Sequence, residues 1–148
     1  MFDAIEQDGQ PVESAWPYLS AVPADSSLWA PPKDVGELFR GKGARSAGDA
    51  GTIKTWIDQD CPVLVVLTLS DAFYAGPDSD GVIDSPEAID PIRVHALIAV
   101  GHGERGTHAF TLVRNSWGDG WGMSGYAWLS NRYLSPRILE FASMTKVA

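Results

Sequence analysis

The chain has 148 residues, of which 45% are hydrophobic and 20% charged, a composition typical of one globular domain with at most a small attached piece. Its formal charge of −8 argues against nucleic acid and anionic membrane surfaces, which attract basic patches. No apolar run approaches the roughly 20 residues that span a bilayer. The single cysteine, Cys61, excludes an internal disulfide framework and a multi-cysteine zinc site.

The first seven residues, MFDAIEQ, predict a short helix that places Met1, Phe2 and Ile5 near one face and ends near Gly9. Two turns are too few for a helix to hold together alone, and no capping residue precedes them. We therefore expect the back half of a longer helix, the alternative being a frayed chain end. The first twenty residues lack the basic and apolar regions of a signal peptide, so a cytoplasmic location is the default expectation.

Residues 10–48 are rich in Pro, Gly and Ser and predict an irregular segment with short extended pieces. The segment AGDAGTIKTWIDQD, residues 47–60, predicts a helix capped by Asp49, because three apolar residues recur at i, i+3 and i+4. Those residues are Ile53, Trp56 and Ile57. Pro62 ends this helix, and the run PVLVVLTLS, residues 62–70, predicts a buried strand.

The second half of the chain predicts a loop and then several strands. Residues 76–91 are acidic and contain proline, a pattern typical of a loop. HALIAVGHG and THAFTLVRNSW, residues 95–103 and 107–117, predict two strands around a glycine turn. GYAWLSNRYL, residues 125–134, predicts a strand or turn, and ILEFASM, residues 138–144, a last strand. One helix followed by mostly antiparallel strands predicts an α+β domain built around a barrel or curled sheet.

The segments HALIAVGHG and VRNSWGDGWGMSGY, the latter residues 113–126, resemble the C-terminal half of papain-like cysteine peptidases. The upstream segments ESAWPY, PVLVVL and DAFYAGPDSDGVI resemble the same family, so the likeness covers nearly the whole chain. The resemblance implies a papain-like α+β fold, mainly its right-hand antiparallel β-barrel domain, over residues 49–148. Residues 1–48 would then be a remnant of the helical left-hand domain together with the crossover segment.

In that family a strand-borne histidine is the general base and the asparagine of Asn-Ser-Trp-Gly orients it, which implies these roles for His95 and Asn115. An imidazole activates a thiol by taking its proton, and an amide oxygen can fix the ring without burying a charge. The two side chains can meet across a hairpin. Trp117, supported by Trp121, would keep water off their hydrogen bond. The alternative is a Trp- and Gly-rich turn that only packs a core.

The nucleophile that these residues should serve is missing. The family carries it in a Cys-Gly-Ser-Cys-Trp-type block roughly 130 residues before the histidine, which from His95 falls about 35 residues before Met1. Cys61 follows a predicted helix, where the family has no catalytic role, and its neighbours Asp58 and Asp60 disfavour a thiolate. We therefore expect Cys61 to be structural, and the chain to begin inside the left-hand domain, after its catalytic helix.

Three further patterns suggest sites with less support. GHGERG, residues 101–106, matches a dinucleotide motif, but the next segment predicts a strand rather than a helix, so a hairpin turn is favoured. GPDSDGVIDSPE, residues 76–87, overlays a calcium loop, but it starts with glycine, contains Pro86 and has no flanking helix. His102 and His108 lack a carboxylate or thiolate partner at metal-binding spacing. We therefore expect no metal and no cofactor.

Three hypotheses about function follow. The first is a papain-like cysteine peptidase that hydrolyses peptide bonds, with its cysteine supplied by upstream sequence or a second chain. The second is an inactive pseudo-peptidase that binds peptides or proteins, and the third is a non-functional remnant. The expected partners are a peptide or protein substrate and a segment carrying the cysteine helix, with neither nucleic acid nor membrane. Without a nucleophile, the chain alone should not cleave peptides.

Overall fold

The computed structural model describes residues 2–17, 21–30 and 32–146. The chain forms two compact units, one built from residues 1–43 and 145–148 and the other from residues 44–144. None of the described helices is long and apolar enough to cross a membrane. The sequence predicts a boundary after residue 48, between the remnant of the left-hand domain and the right-hand domain. That boundary stays a prediction.

The smaller unit begins with helix α1, Phe2–Gln7, which ends where the amides of Asp8 and Gly9 both bond the Ala4 carbonyl. Gly9 has a φ of 76°, a conformation that favours glycine after a helix. The other elements are the paired strands Gln10–Pro11 (β1) and Leu38–Phe39 (β2) and a 3-10 helix, Ser26–Trp29. The predictions of a short first helix and an irregular segment are confirmed; Met1 lies outside the described residues.

The remaining helices are Ala50–Ile57 (α2), Asp71–Ala75 (α3) and Asn131–Leu134 (α4). The remaining strands are Gly41–Ser46 (β3), Val63–Thr68 (β4), Val82–Ile83 (β5), Val94–Arg105 (β6), His108–Arg114 (β7), Tyr126–Ser130 (β8) and Ile138–Lys146 (β9). Asp49 Oδ1 accepts the Thr52 amide at 3.0 Å, which confirms the predicted helix and its cap. The predicted strands at β4, β6, β7 and β9 are also confirmed.

These seven strands form one sheet in the order β3-β9-β4-β6-β7-β8-β5. The pairs β4/β6, β4/β9, β6/β7 and β7/β8 are antiparallel, whereas β5 and β8 are parallel. The long β6/β7 hairpin turns at Gly106, which has a φ of 63°, and carries a bulge between Ala99 and Gly101. The sheet is therefore mostly antiparallel and, with its helices, gives the predicted α+β class.

Alternate residues of β4 define two faces of the sheet. Three of them are fully buried against the core: Val63, Val65 and Leu67. Other large side chains buried in that core include Ile53, Leu69, Phe73, Trp121, Leu129, Tyr133, Leu134 and Phe141. Leu64 lies on the opposite face, here called the outer face, where it pairs with Ile98, which is 42% exposed. Val66 pairs with Ala96 on the same outer face.

The structure corrects the sequence prediction in the acidic stretch. Residues 76–91, predicted as a loop, contain strand β5, because the Asp78 carboxylate accepts the amides of Asp80 and Val82 at 2.9 and 2.8 Å and turns the chain. Ile83 is then 2% exposed beside β8. The sequence also gives no prediction of helix α3 just before this stretch.

Two more corrections concern the hairpin and the segment after it. GHGERG, residues 101–106, is predicted as the turn, but its first five residues belong to β6, and the chain turns only at its last residue, Gly106. This register keeps seven cross-strand pairs between β6 and β7. In GYAWLSNRYL only the first half is strand; helix α4 begins after Ser130, whose hydroxyl accepts the Tyr133 amide at 3.1 Å.

Candidate active site

His95 is the second residue of β6, and Asn115 directly follows Arg114, the last residue of β7. Strands β6 and β7 pair Ile98 with Arg114. This register brings the side chains of His95 and Asn115 to the open end of the hairpin. His95 Nε2 and Asn115 Oδ1 are 2.8 Å apart. The predicted meeting of the two side chains is confirmed, while their catalytic roles stay a prediction.

The hydrogen bonds of Asn115 define which ring nitrogen of His95 carries the proton. Asn115 Oδ1 also accepts the Ser116 backbone amide at 2.8 Å, so this atom is the carbonyl oxygen. His95 Nε2 must therefore be the donor, which leaves Nδ1 of the neutral ring as the nitrogen that can take a proton. Asn115 is 5% exposed, and its Nδ2 is buried without a partner among the described residues.

An aromatic cluster surrounds the His95–Asn115 pair. The Trp117 ring centroid lies 4.9 Å from that of His95, and Trp117 is 39% exposed, so it lies between the imidazole and solvent. Phe73 is fully buried and meets His95 and Trp117 in edge contacts, at 6.1 and 5.6 Å. Trp121 packs on Phe73 at 4.9 Å and donates its Nε1–H to the Phe73 carbonyl. These apolar rings exclude water and thereby strengthen the hydrogen bond between His95 and Asn115.

A glycine-rich loop after β7 holds Asn115 and both Trp residues in place. The Asn115 amide donates to the Gly125 carbonyl at 2.8 Å, and the Gly125 amide donates to the Trp121 carbonyl at 2.7 Å. Gly122 has a φ of 58°, and a Cβ there would lie 2.3 Å from the Tyr126 carbonyl oxygen. The glycines thus allow the loop to close tightly beneath the rings.

The sequence patterns miss two aromatic residues of this cluster, Phe73 and Tyr74 of α3. Tyr74 stacks on Trp117 with the centroids 5.4 Å apart, and the Arg93 guanidinium lies 5.8 Å from the Tyr74 centroid. Arg93 also pairs with Asp71 at the start of α3. A signal was available, since Ser followed by Asp just before apolar residues is typical of a helix start, and Ser70 and Asp71 stand here before Ala72.

Cys61 lies far from this site. It precedes β4, whose Leu67 pairs with His95, and a strand of that length spans about 20 Å. Cys61 is 7% exposed, and its thiol donates to the Met144 carbonyl at 3.2 Å. The geometry agrees with a structural thiol.

His102 and His108, the other histidines considered as metal ligands, lie apart from this site. His102 Nε2 bonds Asp58 at 2.6 Å. Hydrogen bonds from Lys54 and then from His102 hold the pKa of Asp58 below its usual range. The described residues contain no group of three or more His, Cys, Asp or Glu side chains that could hold a metal ion. His108 is exposed at the start of β7.

This combination of an α+β sheet and a His–Asn pair under an indole ring is that of papain-like cysteine peptidases. A profile of the papain family of cysteine proteases matches residues 2–144, and the chain therefore belongs to that family. The predicted papain-like fold is thereby confirmed, and proteolysis is the activity of the family.

The chain is 30% identical over 147 residues to digestive cysteine proteinase 2 of Homarus americanus, covering 96% of this chain and 43% of that protein. It is 29% identical over 150 residues to a cathepsin L-like proteinase of Fasciola hepatica, covering 99% and 44%. The solved Carica candamarcensis cysteine protease CMS1MS2, in complex with E-64, superposes with a TM-score of 0.71 at 22% identity, covering 99% and 67%. The chain spans less than half the length of the curated relatives it matches.

Proposed function

We propose that this chain is the part of a papain-like cysteine peptidase that carries the general base, His95, and its orienting residue, Asn115. The observation that carries the proposal is the 2.8 Å hydrogen bond between His95 Nε2 and Asn115 Oδ1 beside the Trp117 ring. The substrate is a peptide or protein, and the reaction is hydrolysis of a peptide bond.

The mechanism follows from which nitrogen of the His95 ring carries no proton. His95 Nδ1 takes the proton of a cysteine thiol and forms a thiolate–imidazolium pair. The thiolate attacks the peptide carbonyl carbon, and the imidazolium gives its proton to the leaving amine as the C–N bond breaks. Water, deprotonated by the same nitrogen, then hydrolyses the thioester and restores the thiol. Asn115 Oδ1 holds Nε2–H throughout, so the ring keeps one orientation.

The cysteine of this mechanism comes from outside residues 1–148, on another segment of the same protein or on a second chain. A pocket of about 440 Å³ beside Asn115 offers a docking surface for another part of the polypeptide that carries this cysteine. Outer-face residues Leu64, Ala96 and Ile98 form its apolar side.

Labelling by E-64 and hydrolysis of a fluorogenic peptide test the proposal. The purified chain alone should show neither reaction. Co-expression with a polypeptide that carries the family's cysteine block should restore both. His95→Gln should abolish the restored hydrolysis, whereas His108→Gln, on the exposed start of β7, should leave it unchanged. Labelling of Cys61 in the chain alone, or restored activity that survives His95→Gln, would contradict the assigned roles.

The second candidate is an inactive pseudo-peptidase that binds peptides or proteins. The observation that favours it is the remoteness of Cys61, the one cysteine of the sequence, from His95. In that case the chain alone would bind a peptide at Trp117 and Tyr74, seen as shifted NMR signals of those residues. No added cysteine-bearing segment would then produce turnover.

A further inference from the structure

A second cavity lies at the turn end of the β6/β7 hairpin. It has a volume of about 220 Å³, and none of its residues belongs to the candidate active site. It is lined by Asp80, Val82, Gly103, Glu104, Arg105, Phe110 and Trp128. The residues come from the β5 region and from strands β6, β7 and β8, so the cavity is built into the sheet rather than into a loop.

The cavity and His95 lie at different positions along β6 and on opposite faces of the sheet. Gly103 pairs with Phe110 and Trp128 pairs with Leu112, on the outer face that also carries Ile98. His95 pairs with buried Leu67 and therefore lies on the core face, as Leu97 does. Gly103 follows His95 by eight positions in the strand, which corresponds to roughly 25 Å. A ligand in this cavity would therefore not contact the imidazole.

Two aromatic rings form the apolar part of the cavity. Gly103 leaves the Trp128 ring uncovered, since a Cβ there would lie 3.5 Å from its Cζ3 and Cη2 atoms. Phe110 lies beside Gly103 in the register, and its ring is partly exposed. Aromatic faces carry partial negative charge and attract cations.

The cavity rim carries the carboxylates of Asp80 and Glu104, and the guanidinium of Arg105 already lies there. The Arg105 guanidinium lies 5.9 Å from the Phe110 ring centroid, and its NH1 pairs with Asp80 Oδ2 at 3.1 Å. Both partners are more than 60% exposed, so this ion pair is held weakly. The Glu104 side chain has no hydrogen-bond or ion-pair partner among the described residues.

We propose that this cavity binds the arginine or lysine side chain of a basic polypeptide segment. The incoming cation lies against Trp128 and Phe110, pairs with Glu104, and competes with Arg105 for Asp80. The formal charge of −8 on the whole chain attracts basic segments toward it. The site would hold a basic segment of a protein partner, and it does not depend on the presence of a catalytic cysteine.

The test measures fluorescence anisotropy of a fluorescein-labelled Gly-Arg-Gly peptide with the purified chain. The matched peptide carries citrulline, which has the same shape and no charge, and should bind at least about tenfold more weakly. Glu104→Gln should weaken arginine-peptide binding about threefold. Gly103→Leu, which fills the cavity without removing a ring or a charge, should weaken it about tenfold.

The substitution Arg105→Gln gives an effect of opposite sign. Removing the competing guanidinium frees Asp80, so binding should tighten about threefold. Glu37→Gln and Lys33→Gln make the same charge changes at exposed residues that do not line the cavity, and should alter binding little. Equal binding of the citrulline peptide would overturn the proposal. Equal effects of each cavity variant and its charge-matched control would also overturn it.

Discussion

The oxygen of the Asn115 carboxamide fixes the His95 ring because it accepts two hydrogen bonds, from His95 Nε2 and from the Ser116 amide. The second bond holds the amide so that its oxygen, not its nitrogen, meets the imidazole. A single residue thus determines which histidine nitrogen can act as a base.

Asn115→Ala should release this constraint. At about pH 9, where histidine is ordinarily neutral, the wild-type His95 ring should carry its proton on Nε2, and the variant should show a mixture of both tautomers. Ring ¹⁵N chemical shifts distinguish the two forms. Ser116→Ala keeps the backbone donor and should leave the tautomer unchanged. A wild-type ring protonated at Nδ1 would refute the assignment.

Asp84 links β5 to β8 and α4 through side-chain contacts. Its Oδ1 accepts the Ser130 hydroxyl at 2.5 Å, and its Oδ2 pairs with Arg132 at 2.8 Å. The hydrogen bond from Ser130, followed by the bonds from Arg132, holds the pKa of Asp84 below its usual value of 3.8. The ionised carboxylate therefore stabilises the folded state above that value, and this stabilisation is lost as the pH falls through the lowered pKa.

Asp84→Asn should consequently lower the free energy of unfolding by about 1 kcal/mol at neutral pH, with a smaller loss near pH 3. Urea unfolding at both pH values measures the difference. The side chain is 33% exposed, which limits the expected size. Asp34→Asn, at an exposed residue, should change little at either pH. A penalty that grows toward acid pH would contradict the sign of the linkage.

The loop between β7 and β8 is an element whose shape depends on glycine at defined positions. Gly122→Ala should destabilise the chain by about 2 kcal/mol or more, because its φ is positive and the new Cβ would meet the Tyr126 carbonyl at 2.3 Å. Gly120, in the same loop, has no atom within 4 Å of its Cβ position. Gly120→Ala should therefore stay within about 0.5 kcal/mol of wild type in urea unfolding. Equal losses at both positions would refute this account of the loop.

How well the sequence predicts each element follows from how local its signal is. Helix α2 has an apolar repeat and a cap at Asp49, and β4 is a continuous β-branched run, so both are predictable. Strand β5 has two residues, and its pairing depends on the Asp78 turn and on Trp128 far along the chain. Such a strand carries no periodic signal of its own.

The same distinction applies to the site. His95, Asn115 and Trp117 lie in motifs that the sequence displays directly. Phe73 joins them only because α3 packs its ring against three others, a contact between distant segments that no spacing in the sequence indicates. The buried Nδ2 of Asn115 is likewise visible only once its neighbours are placed.

At the scale of the whole molecule, the outer face of the sheet exposes apolar surface next to the pocket that Asn115 lines. Val94 and Ile98 of β6 are 52% and 42% exposed, and Leu64 of β4 pairs with Ile98 beside them. Contiguous exposed apolar residues of this kind mark interaction surfaces. Under the proposed function, a part of the cysteine-bearing polypeptide other than the cysteine itself covers this face beside Asn115.

The purified chain should therefore bind the dye ANS, which reports exposed apolar surface. Ile98→Asp should reduce that binding by about half, because it places a charge at the centre of the patch. Ile92→Asp makes the same change at a residue that is 86% exposed but precedes the strand, so it should have little effect. Adding the cysteine-bearing polypeptide should suppress dye binding to the wild type and fail to do so with Ile98→Asp. A wild-type chain that binds no dye would show that this face is not available for docking.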